Sequence, residues 1–219
     1  MRQFVYDARA KEYGGDWGTA IKSFPLAMTG GTVAPERLFL QCDLTFVNGN
    51  KLERIIGWSH PDLKEFVKSM KAPLFCDATF YITPKEFSQC LVLMSYDKGS
   101  KTYFPWMYIL MQSKTKLAYW HAFNQAIIAC DWELEVSTFT CDYEHNLIDG
   151  LKEAFSEDAE LVGCLFHFIQ CQMKKLKDRG IPMEIIMKLL GAEGLFKLLT
   201  VISVDEIVSK GFSYYYYFC

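Results

Sequence analysis

Two aspartates interrupt apolar segments in which an acid would be costly to bury. Asp77 lies within Pro-Leu-Phe-Cys-Asp-Ala-Thr-Phe, and Asp142 directly follows Val-Ser-Thr-Phe-Thr-Cys. A carboxylate buried in such a segment needs a partner or a cation, because its desolvation is unfavourable. If the two segments form neighbouring strands, both carboxylates reach one edge of a sheet and supply the oxygen ligands that divalent cations prefer. The alternative is a turn or cap role, in which Asp142 would cap a helix beginning at Tyr143.

A second acid competes with Asp77 for this assignment. The segment Cys-Asp-Leu-Thr-Phe around Asp43 nearly repeats Cys-Asp-Ala-Thr-Phe around Asp77. After Asp77 come two further strand-like segments, an aromatic-proline element and a helix before the next acid, whereas Asp43 lies in a simple hairpin. We therefore assign a structural role to Asp43.

Cysteine and histidine side chains offer a second candidate site. Cys164 and His167 are three residues apart and can face one ion, but a structural zinc takes four ligands, and the remaining candidates, Cys171 and His145, follow no zinc spacing. Packing or substrate positioning is the expected role of the pair, and zinc is not expected.

A basic run follows on the same predicted helix. Its members are Lys174, Lys175, Lys177 and Arg179. Such side chains can contact phosphates, although a solvated helix face is the alternative interpretation.

The elements that must position these residues can be read from periodicity. The first segments predict a hairpin closed at an Asn-Gly turn and a short helix opened by Pro61. Three strand-like segments with short connections come next, so they are expected to be antiparallel neighbours. Apolar spacing then alternates between helix and strand, with Leu147, Ile148, Leu151 and Phe155 on one helix face. Antiparallel strands followed by alternating helices and strands predict an α/β fold, with a mixed sheet covered by helices.

Composition limits the class of protein. The 219 residues are 51% hydrophobic, so the chain can bury its own core. The formal charge of -3 argues against a protein that binds nucleic acid through its overall charge. Eight cysteines are too few for a disulfide scaffold of this length, which favours a reducing compartment. The N-terminus lacks an apolar signal segment, and no uncharged stretch reaches the ~18 residues that span a bilayer. We expect a soluble, intracellular protein without membrane association.

Several blocks in order resemble the catalytic core of Mutator-like element transposases. They are CDATFYITPKEFSQCLVLMSY, FPWMYILMQSKTKLAYWHAF, FTCDYEHNLIDGLKEAF and ELVGCLFHFIQCQMKKL. The resemblance as a whole covers roughly residues 55–180. The resemblance implies a ribonuclease H-like sheet with Asp77 and Asp142 as the first two acids of an Asp-Asp-Glu set. Such a set holds two Mg²⁺ or Mn²⁺ ions for cleavage and transfer of DNA strands. It also implies Cys164 and His167 as the family's Cys-x-x-His pair.

The resemblance further implies partners and a location. The partners would be DNA, at transposon ends and at the target, and the location would be nuclear; assembly with further copies of the chain stays open. The expected domains are a lead-in over 1–37, a hairpin and short helix over 38–70, a ribonuclease H-like core over 71–180 and a truncated helical insertion over 181–219.

The third acid of the set is not identified. Glu184, Glu193 and Glu206 lie on predicted helices, but none lies in a recognisable motif. Two alternatives therefore stay open beside an incomplete transposase core. One is a catalytically inactive relic or domesticated DNA- or protein-binding module, and the other is a two-carboxylate glycosidase, which would need one acid with a raised pKa.

Overall fold

In the part of the chain that the structure describes, seven strands form one mixed sheet. The computed structural model describes residues 7, 11, 39–80, 83–155, 160–191 and 194–207. The strands are β1 (Leu40–Asn48), β2 (Lys51–Ser59), β3 (Ala72–Thr79), β4 (Gln89–Asp97), β5 (Thr102–Met111), β6 (Val136–Cys141) and β7 (Glu160–Gly163). Their order across the sheet is β1-β2-β5-β4-β3-β6-β7. The predicted lead-in over 1–37, apart from positions 7 and 11, and residues 208–219 lie outside the described residues.

The sheet combines both kinds of pairing, as predicted. β1 to β5 are joined by antiparallel pairs, and β3 pairs with β6 in parallel. A parallel pair needs a long crossover connection, and here β4, β5 and a helix lie between the two strands in the chain. The α/β class and the mixed sheet are therefore confirmed.

The first hairpin forms where the Asn-Gly signal predicts it, with a different central pair. Asn48 pairs with Lys51, so the two loop residues are Gly49 and Asn50. Of these two loop residues, only Gly49 has a positive φ, 62°. That pattern belongs to a type II′ turn, which places glycine first.

Among the described residues, six helices accompany the strands. They are α1 (Pro61–Lys68), α2 (Lys116–Ala129), α3 (His145–Ala154), α4 (Leu165–Asp178), α5 (Met183–Leu190) and α6 (Leu195–Leu198), and a 3-10 turn spans Val204–Glu206. No helix among the described residues is both long and apolar enough to cross a membrane.

α2 and α3 share one core with a face of the sheet. Phe123 of α2, Phe139 of β6 and Leu151 of α3 belong to a single buried cluster. The predicted face of α3 is confirmed, since Leu147 and Leu151 are buried and the other two members pack against the cluster. On α2 the buried side includes Tyr119 and leaves Leu117 37% exposed. Spacing did not select this side, because apolar residues lie all around the helix.

A bulge in β5 brings an extra large residue into the core. Leu93 pairs with Met107 and Met94 pairs with Pro105, which leaves Trp106 as the inserted residue. A bulge of this kind redirects a side chain, and Trp106 is 1% exposed. The Ser59 hydroxyl donates to the Trp106 carbonyl over 2.5 Å and ties the bulge to β2.

The chain divides into two compact units, residues 1–162 and 163–219. In the second unit, α4 packs against α5 and α5 against α6. Gly194 directly precedes α6 and lies close to the preceding turn. A Cβ at that position would lie 2.2 Å from the Leu189 carbonyl oxygen.

Candidate functional site

Asp77 and Asp142 lie at the same end of two neighbouring strands. The parallel register pairs Leu74 with Phe139 and Phe75 with Thr140. Continued by two residues, it brings Asp77 level with Asp142, the first residue beyond β6. The two acids are 65 positions apart in sequence and share one edge of the sheet.

Two cysteines establish this register from the core side. Cys76 and Cys141 are 3% and 1% exposed, and the Cys76 thiol donates to the Thr140 carbonyl over 3.8 Å. The neighbouring Cys141 thiol and burial raise the pKa of the Cys76 thiol well above its ordinary value. Because side chains alternate along a strand, Asp77 faces away from the core beside these thiols, and it is exposed.

Each acid is oriented by the backbone that follows it. The Ala78 N–H donates to Asp77 Oδ1 over 2.8 Å, and the Tyr143 N–H donates to Asp142 Oδ1 over 2.6 Å. An ionised carboxylate has about four acceptor positions, so each of these backbone bonds occupies one of them and orients the group.

Asp142 is not the cap of the next helix. α3 begins at His145, and its N-cap is Glu144, which makes no side-chain cap bond. The cap interpretation of Asp142 is therefore wrong, because its carboxylate bonds to the adjacent N–H two residues before the cap.

A buried polar network, which the sequence did not reveal, lies beneath this edge. The Gln89 amide donates to the Tyr119 hydroxyl over 2.9 Å, and that hydroxyl lies 3.2 Å from Glu144 Oε1. Gln89 and Tyr119 are fully buried, and burial is the main cause of the raised pKa of Tyr119. The network joins β4 and α2 to the segment that carries Asp142.

Asp43 makes a different kind of contact. Arg54 donates to both of its carboxylate oxygens, from Nε over 2.6 Å and from Nη2 over 2.5 Å. Such a two-bond fork is the strong form of an arginine-carboxylate pair. The ion pair between β1 and β2 accounts for Asp43 as a structural acid.

The Cys-x-x-His pair lies in the second unit. Cys164 is the N-cap residue of α4 and His167 lies in its first turn. Among the described residues, no group of three or more histidine, cysteine or acidic side chains is arranged to hold a metal ion.

The other residues singled out in the second unit are mostly solvent-facing. Glu184 is exposed on α5 and pairs with Lys188 over 3.2 Å. Glu206 lies in the 3-10 turn, and Glu193 is outside the described residues. The four basic residues of the run at Lys174–Arg179 are all exposed. Lys175 and Lys177 lie in the last turn of α4, where cations favour the helix dipole.

One cation near the acids was not anticipated from the sequence. Lys114 lies between β5 and α2, and its ammonium nitrogen is 3.8 Å from the centroid of the Phe80 ring. Lys114 belongs to a Lys-Thr pair in one of the blocks that carry the resemblance, but the resemblance gives it no role, and Gln-Ser-Lys-Thr-Lys is by itself an ordinary polar connection.

The chain matches no protein-family model and no curated protein.

Proposed function

We propose that this chain is a transposase-derived core for metal-dependent cleavage and transfer of DNA strands. The observation that carries the proposal is that Asp77, on β3, lies level with Asp142, which directly follows the neighbouring parallel strand β6. Two acids that follow buried cysteines of adjacent strands form an acidic edge, whereas unrelated turn or cap residues have no reason to coincide.

The sheet supports a ribonuclease H-like core within the α/β class. β3, β4 and β5 are consecutive antiparallel strands, and β6 then returns beside β3 after α2. α3 and β7 complete the alternation. This is the arrangement that the resemblance to Mutator-like element transposases implies, with one acid on the first strand of the set and the other directly after the fourth.

The donor set fits a divalent cation in part. Mg²⁺ is usually bound by one or two carboxylates together with waters and substrate phosphates, and Asp77 and Asp142 provide two carboxylates at one edge. When bound, Mg²⁺ or Mn²⁺ would neutralise charge at the reacting phosphate. The chain's own contribution is to hold the two carboxylates by the backbone bonds at Ala78 and Tyr143.

Nicking of supercoiled DNA by the purified chain tests the proposal. We expect Mn²⁺-dependent nicking that falls by at least about 100-fold in Asp77→Asn and in Asp142→Asn, because each substitution removes a charged metal ligand. Asp43→Asn is the matched control, since Asp43 lies in the near-identical segment but pairs with Arg54. Nicking that persists in both site variants would remove these acids from the mechanism.

The same preparation tests the alternative of a catalytically inactive DNA- or protein-binding module. That alternative predicts DNA binding by the wild-type chain with no metal-dependent nicking, and no effect of either asparagine substitution on chemistry. The proposal predicts binding and nicking together.

A further inference from the structure

The connection between β5 and α2 places a cation at the edge that carries the two acids. Lys114 stacks on Phe80, which lies three residues after Asp77 at the end of the same strand. The Asn146 side chain donates to the Lys114 carbonyl over 2.9 Å, and Asn146 lies four residues after Asp142. Lys114 therefore contacts the segments that follow both acids.

Lys114 differs from the lysines whose charge is neutralised by a carboxylate. Lysines at other positions pair with acids, as Lys116 does with Glu153 over 2.9 Å and Lys68 does with Asp131 over 2.8 Å. Among the described residues, no acid lies within ion-pair distance of the Lys114 ammonium. Its neighbour is the face of an aromatic ring that is 48% exposed, and a ring face orients an ammonium without neutralising it.

We propose that Lys114 is a phosphate-positioning residue for DNA bound at the acidic edge. The proposal rests on the function proposed above and names a residue that the resemblance did not assign. An edge with two carboxylates repels a phosphodiester until cations offset its charge, and Lys114 supplies one permanent cation there. Phe80 limits where that ammonium can lie, so the lysine acts as an oriented point charge on a backbone phosphate.

The experiment measures binding of a short fluorescein-labelled DNA duplex by the full chain over a range of salt concentrations. In this assay Ca²⁺ replaces Mg²⁺, because Ca²⁺ binds to oxygen ligands as Mg²⁺ does but with a different coordination geometry. The loss of one phosphate contact reduces the steepness of log affinity against log salt concentration by about 1. We expect this reduction in slope for Lys114→Gln. Lys114→Arg should keep the slope, since it keeps the charge.

Two further variants separate a positioning role from a general charge effect. Lys98→Gln is the matched control, because Lys98 is exposed in the turn between β4 and β5, at the opposite end of the strands; its slope should equal that of the wild type. Phe80→Leu keeps the charge but removes the ring, so affinity should fall about two- to fivefold at an unchanged slope.

The outcomes distinguish this proposal from the function on which it rests. Equal slopes for Lys114→Gln, Lys98→Gln and the wild type overturn the role of Lys114, and nicking that still depends on Asp77 would leave the proposed function standing. A wild-type chain that neither binds the duplex nor nicks DNA overturns both. A slope reduced in Lys114→Gln alone supports the positioning role.

Discussion

Tyr119 links three elements through one hydroxyl, and Tyr119→Phe removes that hydroxyl alone. The hydroxyl accepts from the Gln89 amide on β4 and lies 3.2 Å from Glu144 at the start of α3. Its removal leaves the aromatic ring in the core, so the substitution tests the hydrogen bonds separately from the packing.

The expected cost follows from what is left behind. Gln89 is fully buried, and without the hydroxyl its amide retains the sulfur of Met111 at 3.4 Å, which is a weak acceptor. A buried donor that loses its partner costs about 1–3 kcal/mol. Glu144 is only half-buried and can bond to water, so it adds little. We expect the free energy of unfolding to fall by about 1–3 kcal/mol, measured by urea unfolding followed with tryptophan fluorescence.

A second substitution tests the reasoning. Gln89→Leu added to Tyr119→Phe removes the amide that was left without its partner. Replacing both hydrogen-bond partners by apolar groups can leave the free energy of unfolding nearly unchanged. The double variant should therefore recover most of the loss, with a coupling energy of about 1 kcal/mol or more. A loss below about 0.5 kcal/mol in Tyr119→Phe alone would show that the buried amide does not depend on this hydroxyl.

Two other substitutions test the packing and the titration of the core. Gly150→Ala should lower the free energy of unfolding by about 1–3 kcal/mol in the same urea assay, despite the higher helix propensity of alanine, because the new Cβ would lie 2.7 Å from Tyr119 Cβ and 2.9 Å from the Lys116 carbonyl oxygen. Gly99→Ala is the control: its Cβ meets nothing closer than 3.4 Å, so it should change the free energy of unfolding by less than about 0.5 kcal/mol. Equal losses in the two variants would contradict the steric explanation. Burial raises the pKa of Cys130 from 9.0 to about 12, so the unfolded state loses this proton first and the free energy of unfolding falls as pH rises from 9 towards 12. Cys130→Ala should reduce that fall by about 1.4 kcal/mol per pH unit, whereas substitution of the exposed Cys171 by alanine should not. An unchanged slope of stability against pH in Cys130→Ala would refute the raised pKa of Cys130.

Local sequence signals predicted the elements well and their contacts poorly. Alternation identified the strands, and helical spacing identified α2 and α3, because the period of a segment depends only on its own residues. The side of α2 that is buried did not follow from spacing, since Tyr119 and Leu117 are both apolar enough to face the core. Tertiary packing, which decides between them, is absent from any single window of sequence.

The candidate site likewise contains residues that the sequence could single out and a residue that it could not. Asp77 and Asp142 could be singled out because each is an acid at an apolar segment, which is a local anomaly. Lys114 could not, because its significance lies in contacts with Phe80 and Asn146, which come from other parts of the chain. A lysine in a polar connection is ordinary until the fold shows what lies against it.

The meeting of the two acids follows from the burial of the residues before them. Cys76 and Cys141 are buried side by side on the face covered by α2 and α3. A slip of β3 by one residue would exchange the faces and bring Asp77 into that core in place of a thiol. Burying an unpaired carboxylate costs several kcal/mol, so the core rejects the slipped register. The register that packs the two thiols therefore also brings Asp77 level with Asp142, and the acidic edge needs no stabilising contact of its own to form.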